Sequence, residues 1–288
     1  MRHLKTLISF IFLSFWMLHA GAATVLPASP PSNFSNYPPD IAAIKKSGVL
    51  RVAMYEKGSP SFFMQDASGN WSGIDIDLEN MIAAGLGVKL VIIPMSSYDG
   101  MVNAVITGKA DLAMGLLSIT PERALQVKFA HPIYAYHPAI LVNRLKLEQL
   151  GWTMPDLMNE LAASTQPIKI GAIPSSANTD LLHRIAPTAQ IVAFPSEDQA
   201  LQAVSDGTIF AAIGDTPEYM TLWLNKNPHT ALTTIQGLVS TRSVLFGIAM
   251  SWKAENLRQW LDIFLENIQS QNILTDLFTK YGVPPPQE

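Results

Sequence analysis

Two stretches of this chain repeat one pattern of residues, and that pattern constrains the fold more than any other feature of the sequence. Residues 99–115 read DGMVNAVITGKADLAMG, residues 198–214 read DQALQAVSDGTIFAAIG, and six of the seventeen aligned positions are identical. Each copy predicts an amphipathic helix, a turn at a glycine and a buried strand that ends at a second glycine. The repeat favours two lobes of similar build, although any two helix–turn–strand units resemble each other to some extent.

The rest of the chain continues this alternation from Asp40 onward. Short apolar runs alternate with amphipathic stretches, and strands are predicted at 49–54, 89–94, 110–115, 139–143, 168–172, 191–194, 209–214 and 244–250. With 288 residues, 48% of them hydrophobic, the chain is long enough to build a large core. The order of the elements predicts an α/β fold with largely parallel sheets.

Residues 1–22 have the layout of a cleavable secretory signal peptide. A basic start (MRHLK) precedes an apolar run (TLISFIFLSFWML) that is too short to span a bilayer comfortably, and the AGA at 20–22 fits a cleavage site. An uncleaved membrane anchor is the alternative. Residues 23–36 are rich in proline and serine and predict a flexible leader. We therefore expect the mature protein in the periplasm.

Composition and motifs argue against several classes of function. The chain is 15% charged, has a net charge of −4 and lacks a basic patch, so no nucleic-acid partner is expected. It contains no cysteine, which excludes a disulfide framework. His131 and His137 are six residues apart with no acidic cluster nearby, a spacing unlike that of zinc sites. Because nucleotide-binding and nucleophile-elbow motifs are absent as well, we predict no metal and no cofactor.

The residues just after the two repeats are the first candidates for a binding site, because ligands of open α/β sheets bind beyond the carboxyl ends of the strands. After Gly115, Thr120 starts a helix whose first turn contains Arg123, and a helix start with an arginine suits a carboxylate. After Gly214, Asp215 suits an ammonium group. Together they would hold both ends of a zwitterion. Alternatively, Thr120 and Asp215 only cap helices, and Arg123 forms a surface ion pair with a nearby acid.

The segment SGIDIDLENMIAAGLGVKLVIIPMSSYDGMVNAVITGKADLAMGLLSITPERALQVKFAHPIY resembles the bacterial periplasmic solute-binding proteins of family 3, which typically serve amino-acid ABC importers. The resemblance is most specific at GKADLAMG…SITPER, and the C-terminal FGIAMSWKAENLRQWLDIFLENI also fits. It implies a two-lobed type II periplasmic-binding fold whose lobes close on a ligand. Lobe 1 would comprise residues 37–142 and 244–283, and lobe 2 residues 143–243, with hinge strands near 141–144 and 241–245. We expect a monomer that delivers its ligand to an ABC permease of the inner membrane.

The same resemblance implies roles for individual residues. Ser118 and Arg123 would hold the α-carboxylate of an amino acid, and Asp215 would take its α-amino group. Ser176 stands at the carboxylate-binding helix start of the second lobe, where the family usually has Gly-Thr-Thr and this chain has Ser-Ser-Ala. Tyr98 matches an aromatic residue that commonly packs on the ligand side chain, and the alternative for it is an ordinary place in the core.

Some positions depart from the family pattern. Gly58 lies in a loop that usually carries an aromatic cover over the ligand, and Tyr55 is one of the aromatic residues that lie elsewhere in that region. Leu116 and Leu117 replace small polar residues, and Ala177 lacks a hydroxyl group. We therefore predict an altered side-chain pocket, larger or more apolar, with Tyr55 and Leu116 among its lining residues.

Two other functions compete with an amino-acid-binding protein of an importer. Periplasmic cyclohexadienyl dehydratases resemble this family and need a positioned general acid, for which Glu218 and Lys57 are candidates. A binding module that reports to a sensor or accessory system is the second competitor. Since nothing in the sequence marks either acid candidate, we predict a protein that is not an enzyme.

Overall fold

The computed structural model describes residues 36–214, 216–239 and 243–285. The predicted signal peptide (1–22), nearly all of the predicted leader, Asp215 and part of the predicted second hinge lie outside these ranges. No helix in the described ranges has both the length and the apolar character of a membrane span.

Helices and strands alternate through the described residues. The strands are β1 (Val49–Tyr55), β2 (Met64–Gln65), β3 (Trp71–Ser72), β4 (Lys89–Met95), β5 (Leu112–Ala113), β6 (Lys128–Phe129), β7 (Tyr134–Tyr136), β8 (Ala139–Asn143), β9 (Lys169–Ala172), β10 (Gln190–Ala193), β11 (Ala211–Gly214), β12 (Thr234–Leu238), β13 (Val244–Phe246) and β14 (Ala249–Met250). The α-helices are α1 (Pro39–Ser47), α2 (Ile74–Leu86), α3 (Tyr98–Ile106), α4 (Pro121–Ala124), α5 (Arg144–Leu150), α6 (Leu157–Ala163), α7 (Ala177–Ile185), α8 (Glu197–Ser205), α9 (Pro217–Lys226), α10 (Glu255–Ser270) and α11 (Ile273–Lys280).

Two five-stranded sheets form the centres of two lobes, which confirms the predicted α/β class. The first sheet has the order β4-β1-β5-β14-β6, and the second has the order β10-β9-β11-β8-β12. Four strands of each sheet run in the same direction, but β14 runs antiparallel to its neighbours β5 and β6, and β8 runs antiparallel to its neighbours β11 and β12. The sheets are therefore mixed, and the single run predicted at 244–250 is two strands, β13 and β14.

The crossing between the lobes uses one pair of strands. The chain leaves the first sheet after β6, passes through β7 to β8 in the second sheet, and returns through β13 to β14. Strands β7 and β13 pair with each other in antiparallel orientation. Leu141 and Val142, placed at the predicted first hinge and lobe boundary, are fully buried within the second sheet. The first crossing therefore lies near residues 134–138, because the apolar run of β8 is a core strand and not a hinge.

The structure confirms the helix–turn–strand pattern of the repeat. Ser97 and Ser196 each cap their helix, α3 or α8, by accepting a hydrogen bond from a backbone N–H three residues on. Gly108 and Gly207 follow these helices with φ angles of 72° and 70°, a left-handed conformation that glycine adopts without strain. Strands β5 and β11 then run parallel to β1 and β9 at equivalent places in the two sheets.

The loop before α2 folds back onto the core of the first lobe. Gly73 has a φ of 133°, and a β-carbon there would overlap the carbonyl group of Phe62. The N–H of Asp75 donates to that same carbonyl oxygen at 2.9 Å. Phe62 and Phe63 are buried, so these aromatic residues after Gly58 belong to the core and do not cover a ligand.

Candidate ligand-binding site

Arg123 lies buried where the two lobes meet. Thr120 caps the short helix α4, and its hydroxyl oxygen accepts a hydrogen bond from the Arg123 N–H at 3.2 Å. The Arg123 side chain donates from Nη1 to the carbonyl oxygen of Ser118 at 2.9 Å and from Nη2 to that of Ser175 at 3.0 Å. Ser118 belongs to the first lobe and Ser175 to the second. Because Arg123 is only 8% exposed, the alternative of a surface ion pair is wrong.

The corresponding strand end of the second lobe has the same helix start. Thr216 caps α9, and its hydroxyl oxygen accepts a hydrogen bond from the N–H of Tyr219 at 3.0 Å. The two copies of the repeat thus continue into two capped helices that begin with Thr-Pro-Glu. Asp215 lies outside the described residues, so its predicted role stays a prediction.

Ser176 begins the helix of the second lobe that faces Arg123. Its hydroxyl group donates to the carbonyl oxygen of Ile173 at 2.7 Å and accepts from the N–H of Thr179 at 3.3 Å, which caps α7. Ser175 has a φ of 58°, the left-handed region that glycine favours. This conformation accompanies the hydrogen bond between its carbonyl oxygen and Arg123. The structure therefore brings Ser176 to the lobe boundary as a helix cap.

Tyr55 and Tyr98 form an aromatic stack beside Arg123. Their ring centroids are 5.1 Å apart with an interplanar angle of 22°, and the guanidinium carbon of Arg123 lies 5.7 Å from the Tyr98 centroid. The Tyr55 hydroxyl group also donates to the carbonyl oxygen of Pro195 in the second lobe at 2.9 Å. Burial, and then the neighbouring Glu56, raise the pKa of Tyr55, so its hydroxyl group remains a donor at neutral pH.

Ser118 and Leu116 occupy the loop that leads from β5 to α4. Ser118 is buried and contributes its backbone carbonyl group to Arg123. Leu116 packs within the core of the first lobe and lines none of the cavities described below. Leu116 has a left-handed φ of 50°, and its predicted role as a pocket wall stays a prediction.

Three cavities lie at the boundary between the lobes, and one of them, of about 380 Å³, is lined by Pro60 and Ser61 of the first lobe and by Asp198 and Trp223 among others of the second. A small one of about 110 Å³ is lined by Tyr98 and residues 57–60 of the first lobe and by Ile173 and residues 196–198 of the second. A larger groove of about 770 Å³ is lined by residues next to Arg123 and Ser176 in sequence, among them Ala177. The small cavity is tighter than the roughly 300 Å³ and more that ligand pockets usually offer.

Several groups at this boundary were missed by sequence reasoning. Glu197 and Asp198 place two carboxyl groups in the wall of the small cavity. Asp198 accepts a hydrogen bond from the Tyr219 hydroxyl group, and a β-carbon at Gly214 would overlap the Glu197 carboxyl group. The signal was present in the repeat, since Asp198 begins its second copy and Glu197 directly precedes it.

Tyr136 and Glu218 form a second polar group near the crossing strands. Burial, followed by the negative charges of Glu218 and Asp75, raises the pKa of Tyr136. Among the described residues, neither the Tyr136 hydroxyl group nor Oε2 of Glu218 has a hydrogen-bond partner. Lys57, the other acid candidate, pairs with Glu56 at 3.1 Å on the surface. Within the described ranges, no three His, Asp and Glu side chains come together as a metal site would require.

Two α/β lobes, a paired strand crossing and an arginine that contacts loops of both lobes define a two-lobed binding protein. The chain belongs to the bacterial extracellular solute-binding proteins, family 3, whose family model matches residues 50–284. This assignment confirms the family predicted from the sequence.

Several known proteins are similar to this chain in structure or in sequence. The ancestral amino acid-binding protein AncCDT-1, a precursor of cyclohexadienyl dehydratase, superposes with a TM-score of 0.69 at 26% identity, covering 84% of this chain and 98% of that one. AbpA of Streptococcus pneumoniae, bound to L-arginine, has a TM-score of 0.68 at 25% identity, with 83% and 96% covered. The membrane-bound lytic murein transglycosylase F of Aeromonas salmonicida is 30% identical over 156 residues, half of this chain. The match spans only 31% of that enzyme's length.

Proposed function

We propose that this protein binds a free L-amino acid between its lobes. The observation that carries the proposal is the position of Arg123, whose guanidinium group contacts loops of both lobes. A planar guanidinium group can grip both oxygens of a carboxylate. The N-terminus of α7, which begins after Ser176, adds backbone N–H groups next to Arg123. We assign the α-carboxylate to Arg123 and this helix start, and the α-ammonium group to Asp215.

Binding and closure are linked in this proposal. A ligand shifts the population toward the closed arrangement only if it makes contacts there that it lacks in the open one. An amino acid held by Arg123 from one lobe and by the α7 start from the other satisfies this condition. The crossing strands β7 and β13 supply the hinge.

The walls of the small cavity favour a cationic side chain. Glu197 and Asp198 supply two carboxyl groups there, against the single positive charge of Lys57. The Tyr55–Tyr98 stack offers an aromatic face, which also attracts cations. The bound L-arginine of the similar streptococcal protein agrees with this class of ligand. We therefore expect L-arginine and L-lysine to bind more tightly than acidic amino acids.

The cellular role follows from the family and the N-terminal sequence. We propose that residues 1–22 direct export to the periplasm and are removed, and that the mature monomer passes its ligand to an ABC permease. Isolation of the secreted chain and sequencing of its N-terminus test the export step: the expected first residue is 23, and retention of residues 1–22 would contradict it.

A thermal-shift screen of residues 23–288 against the common L-amino acids tests the binding proposal. At about 100 times its dissociation constant, a ligand of the folded state adds about 2.7 kcal/mol of stability. L-arginine and L-lysine are expected to raise the melting temperature, with D-arginine as the stereochemical control. The absence of a shift with every amino acid would contradict the proposal and favour a sensor or accessory role.

Removing the Tyr55 hydroxyl group is expected to weaken the closed arrangement. Tyr55→Phe keeps the stack on Tyr98 but loses the hydrogen bond to Pro195 across the lobes. A net loss of about 1 kcal/mol corresponds to about a fivefold weaker affinity for L-arginine in a calorimetric titration. Tyr281→Phe is the matched control, since that hydroxyl group bonds to Asp77 within the first lobe. Equal affinities of Tyr55→Phe and the wild type would refute a role for this contact.

A dehydratase is the second candidate function, and the Tyr136–Glu218 group favours it. Both carry buried polar atoms without partners among the described residues, as a general acid with its neighbour would. Incubation with prephenate and arogenate separates the candidates. Under our proposal neither substrate is consumed. Turnover by the wild type that disappears in Glu218→Gln would instead show that the protein is a dehydratase.

A further inference from the structure

Asp75 is a completely buried acid that joins two elements of the cleft. It lies near the start of α2 and is 0% exposed. Its Oδ1 accepts a hydrogen bond from the hydroxyl group of Tyr134 at 2.7 Å, and its Oδ2 accepts one from the backbone N–H of Leu116 at 3.3 Å. Both partners are donors, as an ionised carboxylate requires.

The two partners of Asp75 lie at functionally important places. Leu116 lies three residues after the end of β5, in the loop that contains Ser118 and leads to Arg123, and its φ of 50° is disfavoured for a leucine. Tyr134 lies in β7, the first crossing strand, and its ring packs against those of Phe246 in β13 and Phe278. One carboxyl group thus links the binding loop to the interlobe crossing.

We propose that Asp75 is a positioning residue of the ligand cleft: when ionised it holds the Leu116 turn against the crossing strand, and on protonation it releases that turn. The part of this proposal that concerns ligand affinity rests on the proposed function, whereas the part that concerns the loop does not. The charge of Asp75 matters because an ionised carboxylate accepts from both donors, and a hydrogen bond to a charged group is about twice as strong as a neutral one.

The surroundings of Asp75 bring its pKa into the physiological pH range. Burial raises the pKa of Asp75 to about 7, although its hydrogen bonds with Tyr134 and Leu116 oppose the rise. Burial and the nearby Asp75 raise the pKa of Glu79 well above its ordinary value. Burial and Asp75 likewise raise the pKa of Tyr134, which keeps its hydroxyl group a donor.

The other charged groups around α2 do not face Asp75. Glu79, Tyr134 and Tyr136 are the titratable groups coupled to it. Two basic residues on the elements packed against α2 form ion pairs elsewhere: Arg51 of β1 pairs with Asp111, and Lys280 of α11 pairs with Asp77 of α2 itself. Lys89 of β4 and Asp276 of α11 are exposed to solvent.

A pH titration of the ligand-free protein by two-dimensional amide NMR tests the proposal. The amide proton of Leu116 is expected to move downfield as Asp75 ionises, with a midpoint at about pH 7, and the amide of Ser118 should follow it. Asp75→Asn, which is neutral at every pH, should abolish this titration. Glu79→Gln is the matched control and should keep it, because among the described residues neither carboxyl oxygen of Glu79 has a hydrogen bond to the Leu116 turn. A Leu116 amide that does not titrate in the wild type overturns the proposal, whether or not Asp75→Asn folds.

Calorimetric titration with L-arginine extends the test to ligand binding. Between about pH 5.5 and about pH 8.5, the wild-type affinity is expected to rise at least about fivefold, and that of Asp75→Asn less than about twofold. A titrating Leu116 amide with an affinity that stays constant would overturn the link to the ligand. Failure of L-arginine to bind at any pH counts against the proposed function, while the Leu116 titration still decides the role of Asp75.

Discussion

Replacing Arg123 by methionine is expected to weaken the binding of L-arginine at least about 100-fold. Methionine keeps much of the volume but removes the charge and the fork that we assign to the ligand α-carboxylate. Each hydrogen bond to a charged group contributes about 1.5–3 kcal/mol, and the loss of two therefore costs at least about 3 kcal/mol. Calorimetric titration of the wild type and of Arg123→Met at one pH measures the difference directly.

Arg51→Met is the matched control for this substitution. Arg51 pairs with Asp111 at 2.6 Å on the first lobe, away from the cleft, so its loss should change the affinity less than about twofold. Arg123→Lys retains the charge without the fork and should fall between the two. Binding of L-arginine by Arg123→Met as tightly as by the wild type would refute the assigned carboxylate site.

Arg123 is also expected to contribute to stability. Its side chain donates to two backbone carbonyl groups while 8% exposed. Arg123→Met leaves both acceptors without this donor, so a lower melting temperature is expected as well. The affinity should therefore be measured well below the unfolding transition.

Replacing Glu79 by methionine is expected to stabilise the protein by about 1–3 kcal/mol at about pH 7.5. Glu79 is completely buried in α2, and neither of its carboxyl oxygens has a partner among the described residues. An apolar side chain of similar length removes the cost of burying these oxygens and keeps the packing. Chemical denaturation at fixed pH measures the change in the free energy of unfolding.

The stabilisation by Glu79→Met is expected to depend on pH in a definite direction. Glu79 and Asp75 both have pKa values raised in the folded state. The stability that such groups contribute is fully present below about pH 4 and is lost as the pH rises toward their folded pKa values. The advantage of Glu79→Met should therefore grow between about pH 4 and about pH 7. Glu79→Gln, which stays polar, should gain less. Destabilisation by Glu79→Met at every pH would contradict this explanation.

The sequence was sufficient for those parts of the structure that depend on local pattern. The repeat predicted α3 and α8 with their glycine turns, and Thr120 was correctly predicted to cap a helix, whereas the cap of α9 is Thr216 and not the predicted Asp215. The run AILVN of β8 was harder, because a fully buried central strand and a hinge strand read alike in one sequence. Only the pairing of β8 with β11 and β12 assigns it to the second sheet.

The contacts of the candidate site could not be predicted from the sequence. Arg123, Tyr98, Tyr55 and Ser176 all lie at the lobe boundary, and their roles in ligand binding stay predictions. The partners of Arg123 are backbone carbonyl groups, one of them 52 residues away in the chain, and backbone contacts leave no residue signature. The buried acids of α2 lay on its apolar face between Ile74 and Ile82, where an i, i+4 acid pair resembles an ordinary exposed one until burial is known.

A crystal structure of the protein grown with L-arginine tests the central claim most directly. The account predicts one arginine between the lobes, with its α-carboxylate within about 3 Å of the Arg123 guanidinium group and its side chain directed toward Glu197 and Asp198. An arginine bound outside the cleft, or one with its α-carboxylate turned away from Arg123, would contradict it.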